Sequence, residues 1–121
     1  MYNLTVKSEF SSAHRLRGYK GKCEALHGHN WKVELMVCGS KLDKLGMTSD
    51  FKELKERLNN ILKDLDHSYL NDLAYFKKHN PTSENIAKYI FDKFNSSSLK
   101  LKLESVTVWE SDSAAATYSK K

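Results

Sequence analysis

His27-Gly28-His29, preceded by His14 and Cys23, gathers three imidazoles and a thiol into one short stretch of chain. Imidazole nitrogen is a preferred zinc ligand, and three such ligands leave a fourth tetrahedral position open, as catalytic rather than structural zinc sites do. If residues 27–31 run as a strand, His27 and His29 project from one face, because side chains alternate along a strand. His14 joins them if its own segment pairs antiparallel with that strand. A His-x-His alone commonly marks no more than a polar turn, so the zinc reading rests on the whole constellation.

A second group stands at Asp66-His67, just past an apolar helical pattern that ends at Leu65. A histidine at a helix C-terminus is ordinarily explained by the helix dipole, which favours a cation there. Yet acid, imidazole and thiol are also the parts of an activated cysteine. The carboxylate orients and charges the ring, and the ring favours the thiolate. Cys23, Asp66 and His67 could thus form a proton-transfer relay. The other cysteine, Cys38, reads as a small buried thiol.

These residues need elements to position them. Apolar residues alternate at Tyr2, Leu4, Val6 and Phe10, and again at Trp31, Val33, Leu35 and Val37, predicting two half-buried strands. The Gly- and Lys-containing loop between them would leave His14 at the end of one strand facing His27 at the start of the next. From Asp50 the period changes: Phe51, Leu54, Leu58, Ile61, Leu62 and Leu65 fall at helical spacing, and Asp50 with Glu53 resembles a capping box. A second helix begins near Pro81-Thr82-Ser83-Glu84, with Ile86, Ile90, Phe91 and Phe94 on its apolar side. Leu99, Leu101 and Leu103 followed by Val106 and Val108 shift parity, which predicts either two strands or one strand with a bulge; residues 114–118 add a closing strand. Strands at both ends of the chain around two helices make an α+β domain, a four-stranded antiparallel sheet with both helices on one face. Its open edges predict a homo-oligomer that continues the sheet across chains.

With 121 residues, 40% of them hydrophobic, one domain spanning residues 1–121 is the expected organisation. Twenty Lys and Arg against fifteen Asp and Glu give a net charge of +5, but the two signs are interspersed. Such an excess suits a polyphosphate substrate. It suits a nucleic acid less, because the cations are interspersed with acids where nucleic-acid binding calls for clustered cations and stacking aromatics. Two cysteines carry no disulfide framework, and there is no leader-like or membrane-spanning apolar run, so no membrane partner and a cytoplasmic location are expected.

Six ordered segments resemble the 6-pyruvoyltetrahydropterin synthase and 6-carboxytetrahydropterin synthase family across essentially the whole chain. Phe10-Ser11-Ser12-Ala13-His14 resembles its first zinc segment, and Cys23-Glu24-Ala25-Leu26-His27-Gly28-His29 its catalytic cysteine and remaining zinc histidines. Gly46-Met47-Thr48-Ser49-Asp50-Phe51 is similar to the lead into its first helix, and Leu65-Asp66-His67-Ser68-Tyr69-Leu70-Asn71 to its catalytic Asp-His segment. Asn80-Pro81-Thr82-Ser83-Glu84-Asn85 resembles the start of its second helix, and Val106-Thr107-Val108-Trp109-Glu110 its pterin-anchoring strand.

The resemblance implies the T-fold, or tunnelling fold, in which small subunits join their sheets into a barrel as trimers that stack as a hexamer, with active sites between subunits. It implies Zn2+ on His14, His27 and His29, catalysis by Cys23, Asp66 and His67, and 7,8-dihydroneopterin triphosphate as substrate. Glu110 would anchor the pterin, and Thr82, Ser83 and Glu84 would line its pocket, although helix capping alone also explains Thr82 or Ser83. The spacing Cys23-x-x-x-His27 is more like the bacterial 6-carboxytetrahydropterin synthase of queuosine biosynthesis, which releases acetaldehyde and triphosphate. The 6-pyruvoyl branch stays open. So does a 6-hydroxymethyldihydropterin-forming folate activity using Glu24, whose plainer reading is an exposed loop acid. A pterin- or zinc-binding protein without turnover is the alternative of a different class.

Overall fold

The computed structural model describes residues 1–19, 26–95 and 101–120. Strand β1 (Tyr2–His14) and strand β2 (His27–Gly39) are followed by helix α1 (Phe51–Leu62), the two-residue strand β3 (Ser68–Tyr69) and a 3-10 turn at Leu70–Asp72. Short helix α2 (Ala74–Lys78), helix α3 (Ser83–Asn95), strand β4 (Lys102–Ser111) and strand β5 (Ala114–Tyr118) complete the chain. The five strands form one sheet in the order β3-β1-β2-β4-β5. Four of them are antiparallel as expected, and β3 adds a parallel pairing of Ser68 and Tyr69 with Ser12 and Ala13. The additional elements β3 and α2 are too short to leave a periodic signature in sequence.

Alternation decides which face of the sheet is covered. Val6 and Phe10 of β1 are buried, as are Trp31, Val33, Leu35 and Val37 of β2 and Val106 and Val108 of β4; they meet Leu54 and Leu58 of α1 and Ile86, Ile90, Phe91 and Phe94 of α3. Helix α1 packs against β1, helix α3 against β4 and β5, and the two helices touch, so one apolar face lies beneath both.

Asp50 caps α1 by accepting from the Lys52 N–H at 2.9 Å, while Glu53 turns along the helix to Arg57 at 3.4 Å instead of closing a capping box. The apolar pattern outlasts the helix: α1 ends at Leu62, and Leu65 is buried from the turn that follows. The parity shift in the last third resolves as one bulged strand, since Val37 pairs with Leu103 but Met36 with Ser105. The slipped residue is Glu104. Leu99 lies outside the described residues. Among the described residues no helix is long and apolar enough to cross a membrane.

Candidate metal centre and active site

The β1–β2 register places His14 opposite His27, Ser12 opposite His29 and Phe10 opposite Trp31. Because side chains alternate, His14 continues the buried face of β1, and His27 and His29 continue that of β2 beyond Trp31. The three imidazoles therefore cluster where the core face runs out, with ring centroids 4.5 to 5.1 Å apart. The Nε2 atoms of His14 and His27 are 3.0 Å apart. Trp31, fully buried, forms the floor, its ring edge-on to His14 at 4.8 Å and to His29 at 5.2 Å.

The bulge at Glu104 brings a fourth group to this cluster. Beyond it, Val106, Val108 and Glu110 share the core face; without the slip, Glu110 would face the opposite side from His29. One ligand atom from each of His14, His27, His29 and Glu110 lies within 4.8 Å of every other. Glu110 Oε1 is 3.5 Å from His29 Nε2. The family resemblance implies a pterin contact at Glu110 and does not reveal its closeness to the histidines. The available signal was its parity with Val106 and Val108.

The donor set fits a metal ion. His14 is 1% exposed, and its Nδ1 lies 2.7 Å from the Pro81 carbonyl, which can only accept. Nδ1 must therefore carry the proton, leaving the Nε2 lone pair turned into the cluster. His29 Nε2 is buried yet makes no hydrogen bond among the described residues. Such an orphaned nitrogen is costly unless something else binds it. Burial lowers the pKa of His14, helped by His27 and His29 and opposed by the Pro81 carbonyl and Glu110. Burial likewise lowers that of His29, with Glu110 opposing and His27 assisting. Both rings are held in the neutral form that a metal ion requires. Nitrogen-rich coordination with one carboxylate in reach suits a divalent transition metal.

Asp66 and His67 are fixed separately, at the outer edge of β1. Asp66 Oδ1 accepts the Ser11 N–H at 2.8 Å, and the His67 N–H donates to the Ser11 carbonyl at 2.6 Å. Asp66 Oδ2 is 3.0 Å from His67 Nδ1. The Ser11 N–H first, and then His67, hold the Asp66 carboxyl below its usual range. His67 has φ +52°, a left-handed backbone unusual for a residue bearing a side chain, and its ring is 83% exposed. The carboxylate and the imidazole are thus held together, and the ring is presented outward. Cys23 and Glu24 lie outside the described residues.

Thr82 is the N-cap of α3, its hydroxyl accepting the Asn85 N–H at 3.1 Å. Its helix-start role is therefore visible directly. Ser83 is half-buried and Glu84 exposed in the first turn of α3, and Pro81, beside them, touches His14. Two residues to which the sequence assigns no role, although both stand in the family-like segments, are prominent here: Asn71 and Asn80 hydrogen-bond the chain leaving His14.

Known proteins resemble this chain along nearly its whole length. Residues 3–121 match the family model described as 6-pyruvoyl tetrahydropterin synthase. The chain is 37% identical to a 6-carboxy-5,6,7,8-tetrahydropterin synthase of Synechocystis over 98% of its own length and 93% of that protein's. It is 39% identical to a Drosophila melanogaster 6-pyruvoyl tetrahydrobiopterin synthase, over 74% of this chain and 61% of the relative. The solved Caenorhabditis elegans 6-pyruvoyl tetrahydropterin synthase superposes with a TM-score of 0.88 at 32% identity, covering 99% of this chain and 96% of the other. That fold likeness establishes the T-fold. With the matched span running from β1 through the last strand, and so through every described candidate ligand, the chain belongs to the 6-pyruvoyl tetrahydropterin synthase family.

Proposed function

We propose that the protein is a zinc-dependent 6-carboxytetrahydropterin synthase of queuosine biosynthesis, a single T-fold domain. It would convert 7,8-dihydroneopterin triphosphate to 6-carboxy-5,6,7,8-tetrahydropterin with release of acetaldehyde and triphosphate. The observation that carries the reading is the convergence of His14, His27 and His29, with a tautomer-locked His14 and an otherwise unsatisfied His29 nitrogen. The relative from Synechocystis, similar over nearly the whole of both chains, favours the 6-carboxy branch.

His14, His27 and His29 would hold the ion, which when bound supplies Lewis-acid polarisation of the substrate's side-chain oxygens. Cys23 would move a proton between the carbons next to the ring, with Asp66 and His67 setting its charge state. Glu110 would accept hydrogen bonds from the pterin's amino group and adjacent ring N–H, which one carboxylate matches bidentately. Thr82, Ser83 and Glu84 would border the pterin at the start of α3. The outward ring of His67, the outer edge of β1 ahead of Ser11 and the outer edge of β5, both without a strand partner among the described residues, support a catalytic site completed between subunits, in a hexamer built as two trimers. No nucleic acid and no membrane takes part.

The test is mass-spectrometric product analysis after the zinc-loaded protein meets dihydroneopterin triphosphate anaerobically, with acetaldehyde trapped as it forms. Carboxytetrahydropterin with acetaldehyde is the expected result. A pyruvoyl pterin, the branch named for the Drosophila relative, or a hydroxymethyl pterin would move the pathway while keeping the site. Unchanged substrate would reduce the protein to a pterin or zinc binder.

A further inference from the structure

We propose that Asn71 and Asn80 are positioning residues for His14, acting as a two-point splint on the chain that leaves β1. The inference rests on His14 being a metal ligand. The Arg15 N–H donates to Asn71 Oδ1 at 3.0 Å while Asn71 Nδ2 donates to the Arg15 carbonyl at 2.9 Å. Two residues on, the Arg17 N–H donates to Asn80 Oδ1 at 3.1 Å while Asn80 Nδ2 donates to the Arg17 carbonyl at 2.8 Å. Each carboxamide thus exchanges both bonds with one residue, as a hydrogen-bonded partner in an antiparallel ladder does.

The placement explains why such a device is needed. Backbone groups of residues two apart in an extended chain face the same edge. Beside β1 that edge is occupied by β3 only at Ser12 and Ala13, and the two asparagine side chains carry the pairing onward to residues 15 and 17. Asn71 is 8% exposed, so its carboxamide is committed to this contact rather than to solvent.

Asn80 has a second connection. Its own carbonyl accepts from Asn85 Nδ2 at 2.9 Å and from the Thr82 N–H at 2.8 Å, which folds the 80–82 turn around Pro81. The Pro81 carbonyl is the acceptor for His14 Nδ1. Both ends of that hydrogen bond, the histidine on β1 and the carbonyl ahead of α3, are therefore tied together through Asn80. Arg17 reinforces the tie by donating from Nη2 to the Phe76 carbonyl. With the splint in place, His14 is kept in the tautomer and orientation that offers Nε2 to the cluster.

Asn→Asp is the discriminating change, because it keeps shape and acceptor but sets a carboxylate oxygen against the Arg15 or Arg17 carbonyl. Zinc dissociation constants of the full-length parent, Asn71→Asp and Asn80→Asp would be measured by chelator competition, with Ile90→Val in the distant core as a control of stability alone. Nitrogen-15 NMR of the histidines would report the His14 tautomer. The splint predicts zinc binding weakened about 10- to 100-fold in each aspartate variant, with mixed His14 tautomers, and parent-like behaviour in Ile90→Val. Where an aspartate variant does not fold, Asn80→Ser removes the same two bonds without adding charge and is held to the same expectation. Parent-like zinc affinity and tautomer in the asparagine variants would overturn the proposal, as would an equal loss in Ile90→Val. A parent that binds no zinc would instead defeat the metal reading, and this inference with it.

Discussion

Trp31→Phe removes the floor of the histidine cluster while leaving every candidate ligand in place. Trp31 is fully buried, stacks on Phe10 with centroids 5.9 Å apart, and meets His14 and His29 edge-on. Its indole N–H donates to the Ser12 carbonyl at 3.3 Å. Phenylalanine retains the stack but forfeits roughly three buried heavy atoms, about 2 kcal/mol at about 0.8 kcal/mol per buried carbon. The lost hydrogen bond adds about 1 kcal/mol. A total of about 3 kcal/mol corresponds to a melting temperature lower by about 10 °C in a domain of this size. Zinc affinity should fall as well, by about 10-fold or more, because two ligand rings lose the wall that orients them. Thermal unfolding of apo and zinc-loaded protein at one fixed protomer concentration, with chelator competition for the metal, measures both quantities. A variant as stable as the parent would refute the packing estimate. One that is destabilised yet binds zinc equally well would refute the coupling between core and site.

The remaining predictions concern the chemistry. Asp66→Asn retains an acceptor for the Ser11 N–H but removes the charge beside His67, so turnover should fall by about 100-fold or more while zinc content stays stoichiometric. Parent-like turnover, measured as product formation, would remove Asp66 from the relay. Glu110→Gln should weaken pterin binding about 10-fold or more in a fluorescence titration, since an amide cannot accept both ring protons. Unchanged pterin affinity with reduced zinc content would instead assign Glu110 to the metal, which its 3.5 Å approach to His29 makes a live outcome. The apo protein should lose stability on acidification. His14 and His29 have folded-state pKa values below 6.5, so the unfolded chain takes up protons first, and stability present above about pH 6.5 declines as pH falls toward the folded values. Urea midpoints from pH 7.5 to 5 should therefore slope less steeply in His29→Gln than in the parent, and equal slopes would contradict the assignment.

Much of this molecule is readable in the chain because it depends on neighbours in sequence. The period-two pattern through Trp31, Val33, Leu35 and Val37 and the helical pattern through Leu54 and Leu58 arise from local backbone geometry, so they predict β2 and α1 without tertiary information. The pair His27 and His29 follows from the same alternation, and His14 opposite His27 from the antiparallel pairing of two such strands. Where a contact spans distant segments, composition and spacing are silent. The bulge at Glu104 turns Glu110 onto the histidine face, but a parity shift could equally have meant two strands; only pairing with Met36 and Val37 decided it. The Pro81 carbonyl that sets the His14 tautomer is 67 residues away in sequence, and the Asn71 and Asn80 splint spans comparable distances. Side-chain type and period determined what groups the chain carries and which face each takes. Register, bulge and long-range hydrogen bonds, which exist only once the strands are paired and the helices packed, decided which of those groups meet.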